Sequence, residues 1–451
     1  MINYNKGIGQ YMVSITNIII SCKRQLSIYN FLKKSQEWSR KKLEKYQMDK
    51  LSRLLIHSYD NVPYYKKIFD KSNLKPRDIK SIKDLQKLPF LTRDIVRRNK
   101  EELIARNYPR NRLEYKTTSG TTGEPISFYV EKGVWLANHL AYNKIYMERA
   151  GYNKWDKMIS FLGIEKESRY HPFFRTLELS SIHLLKKPDE YIKRIRKFKP
   201  KFITSYPSAA YFLSKYIREK ELDKIDGIKA VFCHGEPVYE WEKKLIEEVF
   251  RCRLYDIYGH GEKSIFAGTC EKSYYYHVFS EYYVMEIVDD DGNIITEEGK
   301  TGEIVVTGLH SYAFPFIRYK TGDIGVYSAD KCDCGREYPL IKRIVGRKCD
   351  FLVSRNKDLV YLIILNDFIA ENSKGILMWQ WRQEKVGKLN LDILVCDTFS
   401  DDMLRDIKNR FYSRFGDAFE LDVNYVDDFV RRGTRKHNFL IQNLPIECRL
   451  P

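Results

Sequence analysis

Short apolar runs alternate with helical stretches from about residue 150 onward. The runs cover 158–162, 201–205, 228–233 and 253–258, and helical spacing of apolar residues lies between them at 209–220 and 240–250. Strands that alternate with helices along a chain are typical of α/β folds in which most strands run parallel. This pattern therefore predicts an α/β fold whose core is a mostly parallel sheet.

A different pattern follows the α/β part. Apolar residues alternate over 282–288 and 302–307, and between them lies the turn sequence Asp289-Asp290-Asp291-Gly292-Asn293. Asp-Gly and Gly-Asn steps between alternating runs favour a β-hairpin. The large domain should therefore contain a β-rich subdomain in addition to the parallel sheet.

The two ends of the chain predict smaller structural parts. Apolar residues recur at helical spacing over 31–55, and the tail shows a strand at 388–395, a helix at 401–415 and a strand at 420–426. We therefore expect an N-terminal helical region over 1–110 that packs on a large domain over 111–348. A small mobile α+β domain should follow over 349–451.

Charge and cysteine content limit the class of protein. The 451 residues include 78 Lys and Arg against 60 Asp and Glu, a net charge of +18, which favours anionic partners. Nucleic acid is disfavoured among them, because no helix-turn-helix, zinc-finger spacing or RNP-like strand is found. Nine cysteines at irregular spacing argue for a reducing compartment rather than a framework of disulfides. No apolar run reaches the ~20 residues of a membrane span, so we expect a soluble cytoplasmic protein.

The first fifty residues carry a disproportionate part of the positive charge. They contain ten Lys and Arg against three Asp and Glu. A basic helix of this kind is usually a solvated face over an apolar stripe. Peripheral contact of this helix with a membrane or an acidic polymer is the alternative.

The most distinctive short motif is a run of hydroxyl-bearing residues and glycines before Glu124-Pro125. Glycine lets backbone N–H groups converge, and hydroxyls add donors around an anion such as a triphosphate. The run is not a Walker loop, since no Gly-Lys-Ser/Thr ends it, and on its chemistry alone an ordinary polar turn remains the alternative. Its members are Thr117, Thr118, Ser119, Gly120, Thr121, Thr122 and Gly123.

Six segments in order resemble the adenylate-forming superfamily of acyl- and aryl-CoA synthetases. They are the loop ending at Pro125, Gly235-Glu236-Pro237, 256–262, 318–323, 346–350 and 434–436. Within the superfamily the chain resembles the phenylacetate-CoA ligase-like branch, and there the CapK-type proteins of capsular polysaccharide biosynthesis. This closer resemblance is carried by Asn61-Val62-Pro63-Tyr64-Tyr65, by Cys-x-Cys-Gly-Arg at 332–336, and by Gln380 and Gln383.

The resemblance implies a fold and an activity. The fold would be a large adenylate-forming α/β domain with a small C-terminal lid that rotates between half-reactions. The activity would be ATP-dependent and AMP-forming: a carboxylate, small or glycan-linked, becomes an acyl-adenylate. The acyl group then passes to the thiol of coenzyme A, or to an amine or hydroxyl in surface-polysaccharide biosynthesis.

The resemblance also assigns roles to residues. Glu262 would hold Mg²⁺, Asp323 would accept hydrogen bonds from the ribose with Arg347 nearby, and Tyr258 would stack on adenine. Lys436 would bridge carboxylate and phosphate oxygens as a catalytic point charge. The whole expected ATP-binding set is the 117–123 loop with Gly235, Glu236, Pro237, Asp256, Tyr258, Gly259, Asp323 and Arg347.

Other positions are open to two interpretations. Phe161, Tyr206 and His234 follow or end predicted strands and are candidates for walls of the carboxylate pocket, as is His260, although packing roles are equally compatible. Gly261, Cys349 and Arg435 depart from the family pattern. These departures motivate the alternative of a non-catalytic protein with this fold and a binding role in polysaccharide assembly.

Four residues have the composition of a structural zinc site. Three thiolates and one imidazole complete a tetrahedral zinc set, and a complete set leaves no position for catalysis. Buried free cysteines with a hydrogen-bonded histidine are the alternative, and some members of the resembling branch carry zinc at matching positions. The four residues are Cys270, His277, Cys332 and Cys334.

Overall fold

The computed structural model describes residues 15–118, 125–164, 166–262, 265–431 and 436–444, with side chains from residue 23 onward. The helices are α1 Ile15–Ser35, α2 Arg40–Asn61, α3 Pro63–Lys71, α4 Arg93–Arg98, α5 Val134–Glu148, α6 Ser181–Leu184, α7 Pro188–Phe198, α8 Pro207–Glu219, α9 Glu240–Phe250, α10 Leu362–Glu371 and α11 Asp401–Phe415. Short 3₁₀ turns occupy Pro76–Asp78, Ile82–Lys87 and Arg110–Arg112.

Twenty strands follow one another along the described part of the chain. They are β1 Leu113–Thr117, β2 Ser127–Glu131, β3 Met158–Leu162, β4 Ser168–His171, β5 Thr176–Ser180, β6 Phe202–Ser205, β7 Ala230–His234, β8 Arg253–Tyr258, β9 Ala267–Gly268, β10 Tyr276–Val278, β11 Tyr283–Val288, β12 Thr301–Gly308, β13 Tyr319–Ser328, β14 Leu340–Arg347, β15 Phe351–Val353, β16 Leu359–Tyr361, β17 Ile376–Lys385, β18 Lys388–Val395, β19 Glu420–Tyr425 and β20 Leu440–Gln442.

The chain folds into two compact units. The first contains the described residues up to 118, those of 125–152 and those of 257–344. The second contains the described residues of 153–256 and 345–444. Strand β8 is divided between the units after Asp256.

The second unit contains the parallel sheet that the strand–helix alternation predicts. Strand β3 pairs in parallel with β5 and β6, and β6 pairs in parallel with β7, while β4 runs antiparallel at the edge. Strands β3 and β8 and helix α9 have the predicted bounds. The carboxyl ends of β3, β6 and β7 therefore share one edge of the sheet, which is the edge where α/β folds bind ligands.

The later residues of the second unit form a four-stranded sheet in the order β19-β18-β17-β20. Strand β18 and helix α11 have the predicted bounds, and β19 ends one residue before the predicted end. Apolar residues of this sheet, including Trp379 and Trp381, are fully buried in the same hydrophobic core as α8 and α9.

The first unit is mainly antiparallel. Strands β11 and β12 pair in antiparallel fashion, which confirms the predicted β-rich part. The predicted turn is present, since the Asn293 backbone N–H donates to the Asp289 carboxylate at 2.8 Å. The connection is longer than the turn alone, because β12 begins only at Thr301.

The single helix predicted over 31–55 is wrong. Helix α1 ends at Ser35, and α2 begins at Arg40. The intervening Trp38 ring packs edge-on against Phe31 and Tyr46 at 5.5 and 5.8 Å, which fixes a break between the two helices.

Two expectations from the sequence, on membrane spans and on reduced cysteines, can be compared with the structure. None of the helices in the described part of the chain combines the length and apolar character needed to cross a bilayer. Cys349 is disulfide-bonded, so the expectation of reduced cysteines is wrong at that position. Among the described residues, the cysteines that form no disulfide are Cys233, Cys252, Cys270, Cys332, Cys334 and Cys396.

Candidate functional site

Glu262 lies in a buried polar cluster just after strand β8. Its side chain is 3% exposed, and its Oε1 accepts a hydrogen bond of 2.7 Å from the Tyr319 hydroxyl. The Arg93 guanidinium lies 3.9 Å from the same oxygen. His260 Nδ1 lies 2.9 Å from Oε2 without the alignment of a hydrogen bond.

These neighbours keep Glu262 ionised. Burial by itself raises the pKa of a carboxyl group, because a low-dielectric environment disfavours charge. The His260 ring, the Tyr319 hydroxyl and Arg93 outweigh burial and hold the pKa of Glu262 at about 2. The cluster therefore presents a permanent negative charge with hard oxygen donors, which is the ligand type that Mg²⁺ prefers.

Tyr258 and Asp323 form a second pair in the same unit. The Tyr258 hydroxyl donates a 2.8 Å hydrogen bond to Asp323 Oδ2, and burial raises the pKa of Tyr258 well above its usual value. The Asp323 backbone N–H donates to Thr321 Oγ1 at 3.0 Å. The sequence placed adenine stacking at Tyr258 and ribose binding at Asp323, and the structure brings these two side chains into direct contact.

The start of the glycine- and hydroxyl-rich loop faces the segment after β8. Thr117 ends strand β1, and Thr118 both donates to and accepts from the backbone of Ile126. A Cβ added at Gly261 would lie 3.1 Å from the Thr118 methyl carbon, so glycine permits this close approach. Ser119, Gly120, Thr121, Thr122 and Gly123 lie outside the described residues.

Lys436 contacts the backbone at Gly235 within the second unit. Its Nζ donates a 2.5 Å hydrogen bond to the Gly235 carbonyl and lies 5.7 Å from the centre of the Tyr206 ring. Gly235 has φ of +84°, and a Cβ there would lie 2.9 Å from Lys436 Nζ. The backbone conformation therefore favours glycine at this position, and a side chain here would displace the end of the lysine. Arg435 lies outside the described residues.

The carboxyl ends of β3, β6 and β7 carry the remaining pocket candidates. The Tyr206 and His234 rings pack edge-on at 5.5 Å, directly beside Gly235. Phe161 is fully buried and stacks on Tyr191 at 6.5 Å, so it belongs to the sheet core at this edge.

Glu236 follows Gly235, ahead of Pro237, and accepts a hydrogen bond from the Ser208 backbone N–H at 3.2 Å. Burial raises the pKa of Glu236, with Ser208 and the charge of Lys436 acting in the opposite direction. The segment is thus fixed to the amino end of α8 by its side chain, which leaves its backbone to border a ligand.

Three further candidates lie on or near strand ends. Asp256 is buried within β8, and Gly259 directly follows that strand. Arg347 ends β14, and its backbone N–H donates to the Asp350 carboxylate at 3.3 Å. This bond closes the turn that contains Cys349.

The four cysteine and histidine candidates lie together in the first unit. Their ligand atoms all lie within 4.8 Å of one another. The Cys270 and Cys332 sulfurs are 3.6 Å apart, and His277 Nε2 is 3.2 Å from the Cys334 sulfur. Sulfurs bound to one tetrahedral zinc at about 2.3 Å lie ~3.8 Å apart, so the spacing fits that ion.

The surroundings of this cluster fit a metal ligand set as well. His277 Nδ1 lies 3.2 Å from the Tyr275 carbonyl, an arrangement that orients the ring and leaves Nε2 for a metal. The backbone N–H groups of Lys272 and Ser273 each donate to the Cys270 sulfur at 3.3 Å. Contact with Cys270 and His277 lowers the pKa of Cys334, as a thiolate ligand requires.

Comparison with known proteins gives the family. The AMP-binding enzyme family matches residues 52–312, more than half of the chain, and the CapK C-terminal domain matches residues 352–443. The chain belongs to the AMP-binding enzyme family. The predicted membership of the adenylate-forming superfamily, close to CapK, is therefore confirmed.

Individual relatives agree with this assignment. Protein CapK of Staphylococcus aureus is 25% identical over 85% of this chain and 86% of its own length. Phenylacetate-coenzyme A ligase of Thermus thermophilus is 25% identical over 70% of this chain and 73% of its own length. A crystal structure of 2-hydroxyisobutyryl-CoA ligase in the postadenylation state shares the fold, with a TM-score of 0.72, 18% identity and 90% of each chain covered.

Sequence reasoning missed two members of the Glu262 cluster. Arg93 lies in the short helix α4, outside every motif, and no local pattern singles it out. Tyr319 lies between Arg318 and Lys320 in the segment 318–323, where the resemblance assigns a role to Asp323 alone. The only signal for Tyr319 was its place beside that motif.

Proposed function

We propose that the protein is an ATP-dependent, AMP-forming carboxylate ligase. A carboxylate oxygen attacks the α-phosphorus of ATP, and the bond to the β-phosphate breaks with release of pyrophosphate. An acceptor nucleophile then attacks the acyl carbon of the adenylate, and AMP leaves. The observation that carries the proposal is the buried Glu262 carboxylate, held by the Tyr319 hydroxyl and Arg93, in a chain of the AMP-binding enzyme family.

The first step brings two anions together, so the site needs positive charge, and residues of this chain would supply it directly or through a metal ion. Glu262 would bind Mg²⁺, which would draw charge from the phosphate oxygens. Lys436 would add a positive charge between the carboxylate and the α-phosphate, and the backbone at 235–237 would border the adenine. Asp323 and Tyr258 would bind the nucleoside, with Arg347 as a further contact to the ribose.

The hydrogen bond between Tyr258 and Asp323 supports the nucleoside assignment. It fixes both side chains before the ligand arrives, so little conformational entropy is lost on binding. The Tyr258 hydroxyl donates to Asp323 Oδ2, and a carboxylate can accept several hydrogen bonds, so Asp323 would also accept one from a ribose hydroxyl.

The acceptor is proposed from the relatives. Similarity to phenylacetate-coenzyme A ligases supports the thiol of coenzyme A. Similarity to protein CapK, which extends over more of the chain and includes the C-terminal domain, supports an amine or hydroxyl acceptor in surface-polysaccharide biosynthesis.

Carboxylate-dependent ATP–pyrophosphate exchange tests this function. We expect exchange with one class in a panel of aryl acids, fatty acids, amino acids and uronic acids. Addition of coenzyme A or of amines to the active mixture should then identify the acceptor through AMP release. ATP binding without exchange in any acid class, including glycan-linked acids, would contradict the proposal and favour a non-catalytic protein of this fold.

We also propose a structural zinc ion at Cys270, His277, Cys332 and Cys334. Three thiolates and one imidazole satisfy all four positions of a tetrahedral ion, so no position is left for a substrate. The site ties the β9–β10 region to the loop that precedes β14. Its contribution would be to folding stability, because ligands that are far apart in an unfolded chain meet only in the native state.

Elemental analysis of the purified protein should give close to one zinc per chain. Cys332→Ser should lose most of the zinc and lower the melting temperature, since one ligand is removed. Cys396→Ser is the matched control, because Cys396 is a buried free thiol that contacts Thr398 rather than the cluster. A well-folded native protein without zinc would contradict the assignment.

A further inference from the structure

The three most exposed large apolar side chains of the described residues lie at one edge of the second unit. Phe173 is 86% exposed, Trp155 is 65% exposed and Phe174 is 61% exposed. Exposed aromatic rings that cluster, unlike single exposed apolar residues, mark an interaction surface. None of these three residues takes part in the candidate active site.

The strand register brings these rings to the same place. Phe173 and Phe174 lie at the turn that precedes β5, and Trp155 lies just before β3. Strands β3 and β5 are parallel neighbours, and the Met158 backbone N–H donates to the Arg175 carbonyl at 3.1 Å. The rings therefore share the edge where the parallel strands begin.

Basic residues continue this edge along the sheet. Lys199 precedes β6, and Lys229 precedes β7, the next parallel strand. The strand starts are joined laterally, since the Lys201 N–H donates to the Lys157 carbonyl and the Lys229 N–H donates to the Lys201 carbonyl. With adjacent strands ~4.8 Å apart, the edge from β5 to β7 is about 15 Å long.

We call this surface the strand-start rim and define it as Lys154, Trp155, Phe173, Phe174, Lys199 and Lys229. Its three lysines and three aromatic residues are all exposed. The acids close to it are engaged: Asp156 pairs with Lys201 at 2.8 Å, and Asp226 lies 3.8 Å from Arg251. The rim thus combines protruding aromatic rings with three exposed lysines.

We propose that the strand-start rim docks the protein onto an anionic phospholipid surface. Aromatic side chains at a membrane interface insert their rings among the acyl chains and headgroups, while lysines reach the phosphates. Basic residues near the surface add electrostatic attraction to anionic lipids. The strand-start rim carries both the aromatic rings and the lysines that such a contact needs.

The shape of the rim favours a bilayer over other anionic partners. Phe173 and Phe174 occupy the tip of a tight turn, closed by the Arg175 N–H to the Pro172 carbonyl at 3.2 Å, and pack edge-on against each other at 5.0 Å. Nucleic acids are bound by aromatic rings laid along a groove. A convex pair of rings instead suits insertion into a fluid layer.

Docking at this edge leaves the candidate active site accessible. Tyr206, His234 and Gly235 lie at the carboxyl ends of the same strands. Strands of four to five residues place the two edges about 15 Å apart. A rim-bound enzyme would therefore keep its Gly235–Lys436 side away from the lipid.

Vesicle sedimentation with the full-length protein tests the proposal. We expect binding to phosphatidylcholine vesicles that contain phosphatidylglycerol, weaker binding to pure phosphatidylcholine, and a loss of binding as salt is raised. Phe173→Ser with Phe174→Ser, and separately Lys199→Glu with Lys229→Glu, should each weaken binding at least ~10-fold. ATP–pyrophosphate exchange should be unchanged in both variants.

Matched controls separate the rim from other surfaces. Tyr425→Ser with Val386→Ser removes exposed apolar side chains elsewhere, and Lys33→Glu with Lys34→Glu reverses the same charge on the basic N-terminal helix. Neither should change vesicle binding. Binding that survives the rim substitutions but is lost in the N-terminal variant would overturn the proposal.

Tryptophan fluorescence gives a direct reading of the contact. Emission should shift to the blue on anionic vesicles, and Trp155→Phe should abolish the shift while the other tryptophans remain. An absence of any binding to anionic vesicles at low salt would overturn the proposal, as would binding without a Trp155-dependent shift.

Discussion

Glu262→Gln is expected to lower ATP–pyrophosphate exchange at least ~10²-fold, because it removes the charge that would hold Mg²⁺ against the triphosphate. The substitution keeps the size of the side chain and its acceptor for the 2.7 Å hydrogen bond from Tyr319. The loss should therefore reflect missing charge rather than missing packing. Exchange at saturating ATP and acid, over a range of Mg²⁺ concentrations, measures it.

The pH dependence of this loss is part of the prediction. Since the pKa of Glu262 is held at about 2, the native carboxylate stays ionised from about pH 5 to pH 9. The ratio of native to variant exchange should consequently be constant across that range. A ratio that falls as pH falls would mean that Glu262 titrates, and the assignment of a permanent charge would be wrong.

Glu148→Gln is the matched control for Glu262→Gln. Glu148 lies in the same unit and also accepts a hydrogen bond from a tyrosine hydroxyl, that of Tyr29, at 2.7 Å. It lies in α5, outside the segments that carry the family resemblance. Its amide variant should fold and exchange normally, and equal losses in the two variants would contradict the special role of Glu262.

The Glu262 cluster contains one residue that the sequence could predict and others that it could not. Glu262 itself was found through an ordered motif, which is a local signal. Arg93 was not, because its approach to Glu262 depends on tertiary packing that no periodicity or motif encodes. The same limit applies to the contact between Tyr258 and Asp323, which the sequence could only assign to separate tasks.

The fold was predictable where the pattern was local and strong. Strands β3, β8 and β18 and helices α9 and α11 have their predicted bounds, since each is bracketed by charged or turn-forming residues. The break between α1 and α2 was not predictable, because the apolar spacing continues through it. What ends the helix is the packing of the Trp38 ring, a contact with residues on both sides of the break.

Gly261 shows how a structure changes the meaning of a sequence departure. From the sequence, glycine at this position is a missing hydroxyl donor. In the structure a side chain there would press on Thr118, 3.1 Å from the position of its Cβ. The glycine is thus explained by the space that Thr118 needs at the start of the loop, rather than by a loss of function at the site.

Lys436→Ala is expected to separate the two half-reactions. Exchange should fall ~10²-fold, because the variant loses a positive charge between carboxylate and phosphate. The interaction of that charge with the reacting oxygens strengthens as the bond forms. Transfer of the acyl group from a chemically prepared adenylate to the acceptor should change little, since a lysine that bridges the carboxylate and the phosphate acts before the adenylate has formed. Arg435→Ala is the neighbouring control and should leave exchange within a few-fold of native.

Gly235→Ala offers an independent route to the same lysine. The new methyl group would lie 2.9 Å from Lys436 Nζ, at a backbone φ of +84° that favours glycine. Displacement of the lysine should reproduce the selective loss of exchange in a protein that still carries every charged residue. If Lys436→Ala impairs exchange and transfer equally, or if Arg435→Ala causes the larger loss, then Lys436 is not the adenylating lysine, and Arg435 takes that role.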